Sequence, residues 1–341
     1  MEKKKVLLVY HKEDNDGVFS AALVLWHLFH TKQLNIRYED VDLLGTEYVE
    51  LENKWKSGEV VKWKDKYDNV IMTDVSFNTW KAMKQLYLDF GSNFIWIDHH
   101  GPKIKDSFKH RYDVTSGLRD THKSAILLAY QYFIDPLNEK FDKGTNPQVL
   151  GALSAYDCWN WDGLGYDGEE CKTINVAVNV LIKLDIVKAL GIINNIMNDY
   201  GDRTDQDRNY YDEYLRRGYE YRKYQKYEWE NLMEIADKNW KVIDKKNGIT
   251  RTAAAVFYQG PTNSMMFDSI KDEVECGIVI KPDTVTGRVV VSLYNTKDGY
   301  SEEFDCGDFA NRIYRGGGHQ GASGFNISLT KLNKLIKTKT L

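Results

Sequence analysis

Within the first hundred residues, three short apolar runs each stop abruptly at acids or histidines. Val6-Leu7-Leu8-Val9-Tyr10 is followed at once by His11, Glu13, Asp14, Asp16 and then Gly17. The runs at 69–75 (NVIMTDV) and 93–100 (NFIWIDHH) close on Asp74 and on Asp98, His99 and His100. Apolar runs this short read as strands, and 36–43 (IRYEDVDL) reads as a fourth, with alternating faces. Segment 17–30 (GVFSAALVLWHLFH) is apolar nearly all round and reads as a well-buried helix, with further helices near 120–135 and 147–158. Strands alternating with helices predict an α/β fold with a doubly wound, mostly parallel sheet. Such sheets bind ligands beyond the carboxyl ends of their strands, the edge on which all three polar clusters fall. Acids packed this closely repel one another and resist burial. Either the first loop is simply solvated, or a cation neutralises it.

The chain has 341 residues, enough for two or three domains. Residues about 173–240 read as helical throughout. Within them, 209–232 interleaves tyrosines with Arg and Lys, a pattern that suits base stacking but suits an amphipathic connecting helix better. From 249 the pattern changes to strands broken by Gly and Pro, then YRGGGHQGASGF (314–325) and a last helix. The division expected is 1–185, 186–248 as a helical connector, and 249–341 as a smaller α/β domain with a mixed sheet. A net charge of −4 argues against a protein that coats nucleic acid, but not against an enzyme gripping a few phosphates. The four cysteines are widely spaced with no C-x-x-C pair, so free thiols and a cytoplasmic location are expected. No stretch is apolar for long enough to span a membrane, and the N-terminal run is too short for a signal-peptide core.

Asp157, in LSAYDCWNWD at a predicted helix end, joins the three clusters. A lone D-x-D is usually a solvated turn, a lone His-His pair is little better evidence, and Asp157 alone reads as a helix cap. Three clusters in order, each after a strand-like run, read together as one metal site. Carboxylates in excess over imidazoles favour Mn or Mg over Zn. One cation needs fewer ligands than this, whereas two sharing a bridging carboxylate use them all. The expected cofactors are therefore two divalent cations, manganese first, with magnesium or cobalt as alternatives.

HKEDNDG, TDV, DHH and AYDCW resemble the four ordered motifs of the DHH phosphoesterase superfamily, and GGGHQGASG resembles the signature of its DHHA1 substrate domain. The Tyr156-Asp157-Cys158-Trp159-Asn160-Trp161 run resembles in particular the nanoRNase B type of oligoribonuclease. The resemblance implies that His11 and Asp14 hold one metal, that Asp16, His99 and Asp157 hold the other, and that Asp74 bridges. It implies that His100 faces the scissile phosphate and that Asp98 orients its neighbours. Gly17 would let the ligand loop turn into a helix without a Cβ clash. Gly316, Gly317, Gly318 and His319, with Ser323, would form a substrate loop of exposed backbone N–H groups. Where the family's preceding strand often reads S-L-R, this chain has Ser292-Leu293-Tyr294. Either Arg288 or Arg315 replaces that arginine, or the Tyr294 ring stacks in its place. The resemblance implies a hydrolase, an exonuclease on short single-stranded RNA or DNA. The alternatives are a cyclic or linear dinucleotide phosphodiesterase, a 3′-phosphoadenosine 5′-phosphate phosphatase, or an inactive nucleotide sensor. The family often dimerises, but no exposed apolar stripe compels a homodimer here.

Overall fold

The computed structural model describes residues 5–30, 36–135, 146–200, 204–260, 262–283, 287–296, 304–318 and 320–341. The chain divides into two compact units, 1–222 and 223–341. The first is built on four parallel strands, β1 (Val6–His11), β2 (Val41–Thr46), β3 (Asn69–Thr73) and β4 (Phe94–Ile97), in the order β2-β1-β3-β4. Its helices are α1 (Asn15–His30), α2 (Tyr48–Lys56), α3 (Trp80–Phe90), α4 (Gly101–His110), α5 (Ala125–Ala129), α6 (Gln148–Asp157), α7 (Trp161–Leu164), α8 (Gly168–Ile182) and α9 (Ile186–Tyr200). The unit boundary falls inside α10 (Thr204–Glu234).

Alternation along β1 explains the layering. Val6, Leu8 and Tyr10 point into one core with α1, α5, α6, α8 and α9, while Leu7 and Val9 point into the other, with Leu51, Trp63, Met83 and Trp96. A strand covered on both faces has no polar side, hence its unbroken apolar sequence. The chain leaves β1 for β2 on one side and returns to β3 on the other. That reversal places a topological switch point between the carboxyl ends of β1 and β3, where open α/β sheets bind ligands.

The second unit is a six-stranded mixed sheet in the order β5-β6-β7-β8-β10-β9. Its strands are β5 (Asp237–Asp244), β6 (Ile249–Phe257), β7 (Cys276–Asp283), β8 (Arg288–Asn295), β9 (Gly317–Gly318) and β10 (Ala322–Ser328), with helices α11 (Cys306–Tyr314) and α12 (Leu329–Thr338). Among the described strands, β6 and β7 pair in parallel and the other neighbours pair antiparallel. The α/β class, the parallel first sheet and the mixed second sheet all match the sequence expectation.

Two elements differ from it. Residues 38–40 form a 3₁₀ turn, and the strand read at 36–43 begins at Val41. The Asp40 carboxylate accepts from Arg37 N at 3.1 Å, a local bond that competes with strand pairing. The helical stretch ends at Glu234, because Trp240 and Val242 alternate inward along β5. All four cysteines are free. Among the described residues, no helix is long and apolar enough to cross a membrane.

Candidate metal centre

Parallel register does most of the assembly. Tyr10 pairs with Thr73 and Thr73 with Ile97, so the residues that follow emerge side by side: His11, Asp74 and Asp98. Asp74 has a φ of +57°, unusual for a residue with a side chain, and its amide donates to Ile97 O at 3.0 Å. The two oxygens of its buried carboxylate face different neighbours. Oδ2 lies 3.6 Å from His11 Nδ1, and Oδ1 lies 3.3 Å from His99 Nε2.

His11 Nδ1 also meets Asp14 Oδ2 at 2.9 Å, and Asp14 Oδ1 accepts from Gly17 N at 2.9 Å. A Cβ on Gly17 would stand 2.0 Å from His11 O, so the turn into α1 requires glycine there. Around His99 Nε2 stand Asp16 Oδ2 at 3.5 Å and Asp157 Oδ2 at 3.3 Å. The N-terminus of α5 fixes Asp16, with Ala125 N and Ile126 N each donating to one of its oxygens at 2.8 Å. All six donors expected from sequence thus converge in two groups that share Asp74.

His100 and Asp98 pair at the side of this cluster, with His100 Nδ1 also 3.9 Å from Asp74 Oδ1. Asp98, fully buried, accepts from His100 Nδ1 at 2.7 Å, from His100 N at 3.0 Å and from Trp96 Nε1 at 3.1 Å. It orients His100. Three neighbours carry no signal in the sequence. Tyr48 OH sits 3.2 Å from His100 Nε2, Cys158 Sγ sits 3.7 Å from His99 Nδ1, and the Trp96 indole steadies Asp98. Tyr48 is 52 residues from His100, a contact that only the fold creates.

The electrostatics are those of an overcrowded anion cluster. Burial, then the charges of Asp157 and Asp74, push Asp16 well above the usual carboxylate range. Burial, with Asp74 and Asp14 adding to it, pushes Asp157 to about 7. Burial opposes protonation of His11, but bonds to Asp14 and Asp74 outweigh it and raise the imidazole to about 11. Burial likewise favours a neutral Asp74, yet His11 and His99 hold it below the usual range. Asp74 Oδ1 and Asp157 Oδ2 are buried without a hydrogen bond of good geometry. Buried carboxylate oxygens need a partner. Oxygen-rich donors with imidazoles, including two orphaned oxygens, fit divalent cations of the Mn or Mg kind.

No family model and no curated protein matches the chain. Among solved structures, a pGpG-specific phosphodiesterase, PggH from Vibrio cholerae, aligns with TM-score 0.51 and 13% identity, over 98% of this chain and 97% of its own. The chain shares the fold of that phosphodiesterase over nearly its whole length. An exopolyphosphatase-related protein from Bacteroides fragilis aligns at TM-score 0.49 and 16% identity, over 99% of this chain and 91% of its own. RecJ in complex with Mn2+ from Thermus thermophilus aligns at TM-score 0.47 and 14% identity, over 98% of this chain and 51% of its own.

In the second unit, the substrate-side candidates do not all gather. Gly317 and Gly318 form the edge strand β9, paired with Gly324 and Ser323, rather than an open loop. A Cβ on Gly316 would meet Gly324 O at 2.3 Å, and Gly318 has a φ of +144°, so close strand approach explains these two glycines. Ser323 Oγ is buried and orphaned beside them. Arg315, exposed, caps α11 with a left-handed backbone. Tyr294 is buried, with its ring against Phe267 and its hydroxyl 3.0 Å from Thr262 Oγ1. Arg288 lies at the far end of β8, opposite Ser328, while Ser323 pairs with Leu293 near the other end. Arg288 is therefore not beside β9. His319 lies outside the described residues.

Proposed function

We propose that the protein is a metal-dependent phosphodiesterase that hydrolyses short oligonucleotides, linear dinucleotides among them, to nucleoside monophosphates. The observation that carries this reading is Asp74, whose two oxygens face two separate donor groups. In this reading, His11 and Asp14 hold one cation, Asp16, His99 and Asp157 hold a second, and Asp74 bridges. Two such cations, when bound, activate water and neutralise charge at phosphorus. Residues 1–185 supply this chemistry, and residues 249–341 contribute to holding the nucleotide.

The remaining work falls to the chain's own groups. Burial disfavours a charged His100, but the charge and hydrogen bond of Asp98 outweigh it and raise the imidazole. Its Nδ1 faces Asp98 and its Nε2 stands 3.2 Å from Tyr48 OH, so the His100–Tyr48 pair is the polar group placed to hydrogen-bond a phosphoryl oxygen. A shared fold with a phosphodiesterase titled as pGpG-specific supports placing a linear dinucleotide among the substrates.

The test is a product time course on 5′-labelled RNA: a dinucleotide, a pentanucleotide and a much longer strand, with and without Mn2+. A cyclic dinucleotide and 3′-phosphoadenosine 5′-phosphate run alongside. The two short RNAs should yield mononucleotides fastest, and Asp74→Ala should slow them about a thousandfold or more. Preferred turnover of the cyclic substrate or of the bisphosphate nucleotide would replace the proposed substrate. Full activity of Asp74→Ala would overturn the mechanism.

A further inference from the structure

Helix α6 delivers Asp157 and then ends in a left-handed turn, as α4, α8, α11 and α12 do at Arg111, Lys183, Arg315 and Lys339. Trp159 N donates to Tyr156 O at 3.3 Å and Asn160 N donates to Ala155 O at 3.0 Å, the pair of bonds that closes a Schellman turn. That turn places its next residue in the left-handed region, where glycine is the usual occupant. Here the occupant is Trp159, with a φ of +51°. A bulky side chain adopts this conformation only against steric opposition, and such outliers collect at ligand sites.

The strain is not repaid by burial, since Trp159 is 41% exposed. Its indole lies in a shelf of rings, 5.6 Å from Trp161 and 6.5 Å from Tyr156, nearly parallel to the latter at 27°. The loop beneath it is fixed. Asn160 Nδ2 donates to His122 O at 3.2 Å, and a Cβ on Gly163 would stand 2.3 Å from Asn160 Oδ1. The two residues before Trp159 both face His99, Asp157 through Oδ2 at 3.3 Å and Cys158 through Sγ at 3.7 Å. Tyr38, Phe108, Tyr219, Tyr224, Tyr227 and Phe257 are also exposed aromatics, but none lies within two residues of a cluster donor.

We propose that Trp159 is a specificity-determining residue, a platform on which the base of the nucleotide stacks while its phosphate lies at the cluster. This rests on the phosphodiesterase reading. Stacking on an aromatic face tolerates any base, so the platform would confer preference for a nucleotide over a base-free sugar phosphate rather than for one base.

The test compares binding of GMP and of ribose 5-phosphate to the Mn2+-loaded full chain by calorimetry. The variants are Trp159→Ala, Trp159→Phe and Trp159→Gly. Wild type should favour GMP over ribose 5-phosphate by about tenfold, in the range that base stacking confers. Trp159→Ala should lose that margin with ribose 5-phosphate binding unchanged, and Trp159→Phe should retain most of it. Trp159→Gly should lose the margin while melting above Trp159→Ala, because glycine relieves the left-handed backbone. Equal weakening of both ligands in Trp159→Ala overturns the proposal, as does an unchanged margin. So does a wild type that does not prefer GMP. A wild type that hydrolyses RNA but does not prefer GMP strikes this inference alone, whereas base-dependent binding without hydrolysis strikes the phosphodiesterase reading alone.

Discussion

At the scale of single residues, the centre is a set of groups that would repel one another without counter-charge. Protonation supplies that charge in the cation-free protein, with a consequence for stability. Asp157 moves from 3.8 to about 7 on folding. A raised pKa gives stability that is complete below the unfolded value and is lost as pH rises through the folded one. His11, raised from 6.5 to about 11, acts in the same direction, its contribution complete below 6.5 and fading above it. Asp74 is shifted downward and contributes equally throughout the neutral range. Chelator-treated protein should therefore melt at a lower temperature at about pH 8 than at about pH 5, and Mn2+ should reverse that trend. A melting temperature that rises over this interval without metal would contradict the assignment. Gly17→Ala tests the turn itself. A methyl group set 2.0 Å from His11 O should destabilise the fold by about 1–3 kcal/mol and weaken Mn2+ binding together. Five of the six donors were legible in the sequence because each sits just after a strand-like run, and Asp157 because it closes a predicted helix. Tyr48, Cys158 and Trp96 were not, because their roles depend on contacts that neither spacing nor composition encodes.

At the scale of elements, strand ends and helix ends do the positioning. The parallel register of β1, β3 and β4 aligns His11, Asp74 and Asp98, and the N-terminus of α5 clamps Asp16. The strands were legible because burial on both faces forces unbroken apolar runs. β5 was missed because it follows a long helix without Gly or Pro to mark the change, and β2 was displaced by the local bond at Asp40. Gly316 to Gly318 show a different limit. A run of glycines signals freedom of the backbone, and only the fold reveals that this freedom serves close strand packing. In the second unit, buried Asp244 at the end of β5 accepts from Arg312 of α11 and from Asn247. Burial works against its charge, but Arg312 and Asn247 hold its carboxyl below the usual range. Its stabilising effect is present above the ordinary carboxylate pKa and is lost as pH falls through the lowered one. Asp244→Ala should cost the second unit about 2 kcal/mol, read as a lower denaturant midpoint at neutral pH, and should leave Mn2+ affinity unchanged.

At the scale of the whole molecule, the two units have separate cores. Every donor of the candidate centre belongs to 1–222, and every nucleotide-side candidate read from the sequence belongs to 223–341. The first set holds together in the structure. The second is dispersed: Tyr294 is buried, Arg288 stands at the wrong end of β8, and the glycines are paired. The metal centre is therefore the part of the account that most needs a direct count. Mn2+ binding followed by electron paramagnetic resonance supplies it, because free and bound ions are distinguished in one titration. The account predicts two Mn2+ per chain for wild type, with magnetic coupling between them that Asp74→Ala abolishes. A single uncoupled ion in wild type, or an unchanged pair in Asp74→Ala, would contradict it.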